Sequence, residues 1–178
     1  MKDFIGFGKI ARLSRNCVIT EKIDGTNAQI YIGEDGEFLI GSRKRWITPE
    51  NDNAGFAKWA MEHKEELLTL GTGSHFGEWW GQGIQRKYGL EEKRFSLFNV
   101  GLWTEENIPD CCHVVPTLYS GLFSTGTIYI IVGRLEDKGS RAAPGFMNPE
   151  GVVIWHEAAR IYFKKTIKGD EKPKGNNE

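Results

Sequence analysis

Short runs of strand-forming residues separated by turn signals dominate this sequence, and only two stretches show helical spacing of apolar residues. The pattern predicts strands over 17–21, 28–32, 37–42, 75–80, 94–100, 151–155 and 160–167. Helices are predicted over 56–70, before Gly71, and over 127–138, before Gly139. Because the helices do not alternate regularly with the strands, we expect an α+β fold of mainly antiparallel sheets with flanking helices.

The length of the chain indicates about one domain. Its 178 residues support one sizeable core, and we expect a single domain over 1–178 with a polar tail from about 169. No apolar run reaches the ~18 residues of a membrane span, and the N-terminus lacks the apolar segment of a signal peptide. Three cysteines, Cys17, Cys111 and Cys112, are too few for a disulfide framework, so we expect a cytoplasmic protein.

The most informative segment is 19–27, where Lys22 ends a predicted strand and Asp24-Gly25 forms a turn. A lysine is a nucleophile only when its amine is neutral. At pH 7 an unperturbed lysine, with a pKa of ~10.4, needs roughly 4.6 kcal/mol to lose its proton. Burial and neighbouring cations lower that cost. These residues alone leave two interpretations open, a catalytic lysine and a β-hairpin whose lysine is solvated.

Five short segments follow one another in an informative order. They are EKIDG at 21–25, FGEWWG at 76–81, FSLFNV at 95–100, PEGVVI at 149–154 and YFKKTI at 162–167. In this order they resemble motifs I, III, IIIa, IV and V of the covalent nucleotidyltransferases, the superfamily of ATP-dependent DNA ligases, RNA ligases and mRNA capping enzymes. Arg43 after motif I, and the segments at 115–121 and 142–146, are similar to bacteriophage-type RNA ligases. The resemblance covers about 21–174 and implies the ligase-type nucleotidyltransferase fold.

The resemblance also implies a role for each matched side chain. Lys22 would attack the α-phosphorus of ATP and form lysyl-AMP. Phe98 would stack on adenine, although its local sequence fits a core aromatic equally well. Glu78 would accept a hydrogen bond from a ribose hydroxyl, and Glu21 belongs to the same nucleotide-binding set.

Four further residues complete the implied nucleotide site. Glu150 would hold a divalent metal, Mg²⁺ or Mn²⁺, through water, and its local alternative is a solvated turn acid. Arg43 would clamp ribose or phosphate, and Asn27 would contact phosphate or the RNA end. Locally, Arg43 also fits a solvated basic cluster, and Asn27 fits turn chemistry. Lys164 would contact pyrophosphate.

Motif V departs from the family pattern. Ligases usually carry two lysines separated by one residue, whereas here Lys164 and Lys165 are adjacent and Thr166 occupies the second position. Because side chains alternate along a strand, we expect Lys164 and Lys165 on opposite faces. Lys164 matches the first lysine of the pattern, and no second lysine is assigned.

The sequence therefore predicts an ATP-dependent RNA ligase reduced to its nucleotidyltransferase domain. Adenylation of Lys22 would be followed by AMP transfer to a 5′-phosphate and by attack of a 3′-hydroxyl. The expected partner is RNA with such ends, with DNA possible, no membrane is involved, and the protein is a monomer. The alternatives are a minimal DNA ligase and a nucleic-acid-binding protein of the same fold that has lost ligation. A capping guanylyltransferase is less favoured, because no residue selects GTP.

The overall charge offers no support for a polyanion partner, because 23 Lys and Arg oppose 24 Asp and Glu for a net charge of −1. Basic residues nevertheless cluster beside the motifs, at 43–45, 86–87, 93–94 and 164–168. A segregated charge distribution can bind phosphate without net positive charge. We expect a local basic patch and weak, salt-sensitive binding of RNA.

Overall fold

Two β-sheets form the framework of residues 2–170, the part of the chain that the computed structural model describes. The strands are β1 (Asn16–Lys22), β2 (Thr26–Ile32), β3 (Phe38–Ser42), β4 (Trp46–Ile47), β5 (Gly73–Gly81), β6 (Lys93–Leu97), β7 (Cys112–Val114), β8 (Thr117–Leu122), β9 (Gly151–His156) and β10 (Ile161–Thr166). The helices are α1 (Phe56–Glu62), α2 (Lys64–Leu67), a 3₁₀ turn (Leu68–Leu70) and α3 (Thr125–Lys138).

The strands are arranged mainly antiparallel. A small sheet has the order β10-β9-β1-β8, and a large sheet has the order β4-β3-β2-β5-β6-β7. Only β6 and β7 pair in parallel among the strands of residues 2–170. The α+β fold with mainly antiparallel sheets is confirmed.

The large sheet buries one face against α1. Alternate residues of β2 (Ala28, Ile30 and Ile32) point into this core. Phe56 of α1 packs there against Trp79 at 5.4 Å between ring centroids. Full burial of such a side chain contributes about 1.5–3 kcal/mol, so the alternation of β2 fixes which face of the sheet is left for other contacts.

The small sheet buries one face against α3. The buried residues there come from three elements: Cys17 and Ile19 of β1, Val152 and Ile154 of β9, and Ile128, Ile131, Val132 and Leu135 of α3. The Ser124 side chain caps the start of α3 by accepting a hydrogen bond from the Thr127 N–H. Gly139, with φ 80°, follows its last residue, as expected from the sequence. Lys22 lies on the opposite face of the small sheet from Ile19, because side chains alternate along β1.

The Asp24-Gly25 turn connects the two sheets rather than the two strands of a hairpin. β1 pairs with β8 and β9, whereas β2 pairs with β3 and β5. The hairpin interpretation of this segment is therefore wrong. A Cβ at Gly25 would lie 2.7 Å from the Trp80 Cβ and would collide with the Trp79 carbonyl oxygen. Glycine allows the close approach that brings the end of β1 against the large sheet.

A third cluster of buried residues fills the space beside this crossing, and it consists of Ile23, Trp80, Tyr88, Val115 and Ala143. Alternation along β5 places the adjacent Trp79 and Trp80 side chains on opposite faces of the large sheet. Both are buried, at 2% and 1% exposure, because this cluster covers the second face of the large sheet at the Trp80 end of β5.

Other differences from the expected elements are small. The helix over 56–70 is interrupted at His63, whose φ of −107° and ψ of 18° are not helical. The short strands β4 and β7 and the longer β8 were not expected. The polar tail from about 169 begins in the described part with Asp170, which accepts hydrogen bonds from the Lys165 ammonium and the Thr166 N–H. Its remainder, 171–178, lies outside the described residues.

Candidate active site

Lys22 and Glu150 meet where the small sheet ends beside the crossing turn. Lys22 is the last residue of β1 and is in register with Gly151, so Glu150 stands immediately before β9. The Lys22 Nζ lies 2.7 Å from the Glu150 Oε2. The lysine side chain is 20% exposed and the glutamate 4%. A nucleophile candidate and a carboxylate thus share a mostly buried, charge-assisted hydrogen bond that opens to solvent on the lysine side.

Glu78 comes to the same place from the large sheet. It pairs with Asn27 across β5 and β2, its Oε1 accepts from the Gly25 N–H at 3.0 Å, and its Oε2 accepts from the Asn27 Nδ2 at 3.1 Å. Burial raises the pKa of Glu78 to about 7, although the Lys22 charge and the Gly25 N–H oppose that rise. The side chain can therefore be neutral or ionised near neutral pH. Asn27 and the turn of motif I hold it in place.

Glu21 points away from Lys22 and is almost fully buried, at 1% exposure. Its Oε1 accepts from the Ser140 hydroxyl at 2.6 Å, and its Oε2 accepts from the Arg141 and Ala142 N–H groups at 2.7 and 2.9 Å. Both carboxylate oxygens are thus used by the segment after α3. Through Glu21, the strand that carries Lys22 is tied to that segment.

Phe98 and Arg43 follow β6 and β3, the strands on either side of the β2–β5 pair that carries Asn27 and Glu78. The Phe98 N–H donates to the Phe76 carbonyl, which places Phe98 beside the strand that carries Glu78, with 37% of its surface exposed. Arg43 is exposed in the turn between β3 and β4. Its position leaves the guanidinium accessible to a ligand.

The motif V residues separate onto two faces, as alternation predicts. Lys164 pairs with Val153, which pairs with Thr20, so Lys164 lies on the Lys22 face of the small sheet. Lys165 lies on the opposite face, where its Nζ is 5.6 Å from the centre of the Tyr129 ring of α3.

Thr166 occupies the row of Lys22. It pairs with Gly151, which is in register with Lys22, so both side chains project from the same face of the small sheet. The position that carries a second lysine in the family pattern is therefore on the Lys22 face, and a hydroxyl stands there in this chain.

Two residues that sequence reasoning did not single out hold the crossing turn. The Arg86 Nε donates to the Asp24 Oδ2 at 2.9 Å, and its Nη1 donates to the Asn148 carbonyl at 3.1 Å. The Tyr88 hydroxyl accepts from the Asp24 N–H at 2.8 Å, and burial raises the pKa of this phenol. Arg86 thus links the turn after Lys22 to the segment before Glu150. The sequence showed it only as part of a basic cluster.

The charges of the site suit a nucleoside triphosphate with a divalent cation. No group of three or more His, Cys, Asp or Glu side chains that could hold a metal occurs in residues 2–170. Mg²⁺ near phosphates needs only one or two carboxylates, because waters and phosphate oxygens complete its shell. Glu150, which lies beside Lys22, fits that requirement. Phosphate oxygens would be attracted by the positive charges of three side chains, those of Lys22, Lys164 and Arg43.

The family model described as "RNA ligase" matches residues 15–168. The chain belongs to the RNA ligase family. The match includes all the residues of the candidate active site and extends over both sheets. No protein in a search of curated proteins matches the chain.

Solved structures share the fold of this RNA ligase family member. A mutant of the Naegleria gruberi RNA ligase with ATP and Mn has a TM-score of 0.66 and 20% identity, over 86% of this chain and 50% of that one. Another mutant of that ligase, with AMP and Mn, has a TM-score of 0.65 and 19% identity over the same shares. The Naegleria gruberi RNA ligase with PPi has a TM-score of 0.59 and 19% identity, over 93% of this chain and 57% of that one.

The chain thus spans about half the length of the solved RNA ligases that it matches. None of the helices in residues 2–170 combines the length and apolar character needed to cross a bilayer.

Proposed function

We propose that this chain carries out the nucleotidyl-transfer chemistry of an ATP-dependent RNA ligase. The observation that carries the proposal is the contact of Lys22 with Glu150, two residues that are 128 positions apart and match motifs I and IV. In the first step the Lys22 Nζ attacks the α-phosphorus of ATP. The new N–P bond gives lysyl-AMP, and the broken P–O bond releases pyrophosphate.

The Lys22 ammonium must lose one proton to become a nucleophile, and the attacking amine releases a second proton to water as the N–P bond forms. The first of these protons needs an acceptor beside the amine. The Glu150 Oε2, at 2.7 Å, is the acceptor that the geometry offers. A divalent cation, Mg²⁺ or Mn²⁺, would neutralise phosphate charge when bound near Glu150. The protein's own contribution is to position Lys22 against the phosphate and to exclude water from the Glu150 side of the pair.

The remaining residues receive roles that their positions support. Glu78 would accept from a ribose hydroxyl, and Phe98 would stack on the adenine. Arg43 and Lys164 would bind phosphate oxygens from the two sheets. Asn27, which donates to Glu78, would position that carboxylate as well as approach the phosphates or the RNA end.

Glu21 is better described as a positioning residue than as a nucleotide ligand. Its two oxygens accept three hydrogen bonds from the segment 140–142, which fixes β1 from the side opposite to Lys22.

In the later steps AMP would pass from Lys22 to the 5′-phosphate of an RNA strand, and a 3′-hydroxyl would displace it. The product is a continuous strand, as in repair of broken RNA. We further propose that residues 1–178 act as one domain, as a monomer, in the reducing cytoplasm, which would suit the free thiols of Cys17, Cys111 and Cys112.

A gel assay with end-labelled, 5′-phosphorylated strands tests this proposal. With ATP and Mg²⁺ we expect an adenylylated RNA and then a sealed RNA whose label resists phosphatase. Lys22→Ala should give neither product, whereas the exposed Lys58→Ala should match the unmodified protein. Sealing of DNA but not of RNA would indicate the DNA ligase alternative. Binding without either product would indicate a protein that has lost ligation, and both outcomes contradict the proposal.

A further inference from the structure

A row of residues crosses the face of the large sheet that α1 leaves uncovered. Trp46 pairs with Gly41, Gly41 with Gln29, and Gln29 with Phe76. The Phe98 N–H donates to the Phe76 carbonyl and extends the row to the next strand. We call these five residues the aromatic row. With strands ~4.8 Å apart, it runs about 19 Å from β4 to the end of β6.

The rings of the aromatic row are largely open to solvent. Trp46 is 51% exposed, Phe76 54% and Phe98 37%. Several exposed aromatics on one sheet face indicate a binding surface rather than chance exposure.

The Trp46 ring lies beside Gly41 and contacts the Tyr31 ring, with 6.2 Å between the ring centroids. A Cβ at Gly41 would be 3.1 Å from the Cε3 and Cζ3 atoms of the indole. The indole therefore packs against a position that has no side chain, and about half of Trp46 stays exposed, 51%. This arrangement suits stacking of a base on the indole.

The aromatic row runs beside the candidate active site. Gln29 and Phe76 are two residues along their strands from Asn27 and Glu78, which is about 7 Å and on the same face. A strand whose end reaches Lys22 from this side would pass over the row. The row is thus continuous with the place where strand ends would react.

Positive charge accompanies the row. Arg43, Lys44 and Arg45 form the exposed turn that leads directly into Trp46. Aromatic faces for bases beside cations for phosphates are the combination that single-stranded nucleic acid requires. An apolar protein partner would not require the cations.

We propose that the part of the aromatic row from Trp46 to Phe76, together with Lys44 and Arg45, binds the RNA strand next to its reacting end, with Trp46 and Phe76 stacking on bases. Phe98 and Arg43, at the border of this surface, keep their proposed roles toward ATP. The surface would tolerate many sequences, because every base has a stacking face. This proposal rests on the proposed function, since it assigns the substrate surface of the same site.

The test measures binding of a dye-labelled, 5′-phosphorylated single-stranded RNA by fluorescence anisotropy. Trp46→Ala and Phe76→Ala are each expected to weaken binding about ten-fold, as loss of one stacked base predicts. Trp46→Phe should recover most of the affinity. The matched control is Phe163→Ala, a similarly exposed ring (47%) on the α3 side of the small sheet, which should bind as the unmodified protein does.

Salt dependence separates the two kinds of contact. Lys44→Ala should reduce the slope of log affinity against log salt by about 0.7, the value for one phosphate contact with a single strand. Trp46→Ala should leave that slope unchanged while it lowers affinity.

Transfer of AMP from ATP to the protein, measured without RNA, reports folding and tests the proposed function separately. Weaker RNA binding by Trp46→Ala and Phe76→Ala, with AMP transfer retained, supports the surface. If both variants bind RNA as tightly as Phe163→Ala, the row binds something else, such as a protein, and the proposal is wrong. A protein that accepts no AMP but shows the expected binding losses would contradict the proposed function and leave the RNA surface supported.

Discussion

The Lys22 amine lies 2.7 Å from the Glu150 carboxylate because the last residue of β1 is in register with the first residue of β9. The same register places Thr166 in the row of Lys22. The crossing turn after Lys22 then brings Glu78 from the other sheet to the same site. The lysine of motif I thus meets its carboxylate neighbours only because strands that are far apart in the chain pair or pack together.

The elevated pKa of Glu78 predicts a pH-dependent stability. Burial raises the pKa from 4.5 to about 7, so the folded state holds a proton that the unfolded state releases between these values. The free energy of unfolding should therefore fall as the pH rises from about 4.5 to about 7, by on the order of 3 kcal/mol from this group. Urea unfolding at several pH values measures it.

The Glu78→Gln variant isolates this effect. Its unfolding free energy should vary less across the same pH window, whereas the exposed Glu106→Gln should behave as the unmodified protein. An identical pH profile for Glu78→Gln and the unmodified protein would contradict the assignment.

Glu21 should fix the segment after α3. In Glu21→Gln an amide group replaces one oxygen and opposes donors from Ser140, Arg141 or Ala142. We expect a loss of roughly 2 kcal/mol in the free energy of unfolding, because a buried donor is left without an acceptor. The backbone amides of Arg141 and Ala142 should also exchange hydrogen faster.

The exposed Glu157→Gln is the matched control for Glu21→Gln and should preserve both stability and exchange. Unaltered exchange at Arg141 and Ala142 in Glu21→Gln would show that the carboxylate does not hold this segment.

Arg86 should set the position of Lys22 relative to Glu150. Its guanidinium joins Asp24 to the Asn148 carbonyl, and a misplacement of the reacting groups slows a reaction that depends on alignment. Arg86→Ala should slow AMP transfer to the protein roughly 10- to 100-fold and change the KM for ATP much less. Because the ion pair is partly exposed, the stability cost should stay at about 1 kcal/mol or less.

Arg86→Lys should give an intermediate rate, since an ammonium cannot reproduce the planar two-way contact. The exposed neighbour Lys87 provides the control, and Lys87→Ala should retain the full rate. A normal rate of AMP transfer in Arg86→Ala would show that Arg86 does not position Lys22.

The two motif V lysines should differ in their effects. Lys164 shares the Lys22 face, so Lys164→Ala should reduce AMP transfer about ten-fold or more through loss of a phosphate contact. Lys165 faces α3 and bonds to Asp170, so Lys165→Ala should affect stability slightly and AMP transfer little. Initial rates at saturating ATP distinguish the two. Equal losses from both variants would contradict the assignment of faces.

Alternating patterns along the strands made most of the framework predictable. β2 shows this, because Ala28, Ile30 and Ile32 define its buried face without reference to a partner. Which strands pair with each other was harder to predict from the sequence. Asp24-Gly25 correctly indicated a turn, but local residues do not encode that β1 and β2 enter different sheets.

The candidate site shows the same division. Lys22, Glu78 and Glu150 could be selected from motif order, and the structure brings them together. Arg86 could not be selected in this way, because its role depends on two hydrogen bonds that only the tertiary fold creates. The aromatic row could not be predicted from the sequence either, since an exposed Trp46 in a two-residue strand has no distinct sequence signal.

Locating AMP on the protein tests the central claim most directly. The protein is incubated with ATP labelled at the α-phosphate and Mg²⁺, denatured, digested, and its peptides are mapped by mass spectrometry. We predict one AMP on Lys22 through an acid-labile N–P bond, none in Lys22→Ala, and full labelling in Lys58→Ala. AMP on another residue, or equal labelling of Lys22→Ala and the unmodified protein, would contradict the account.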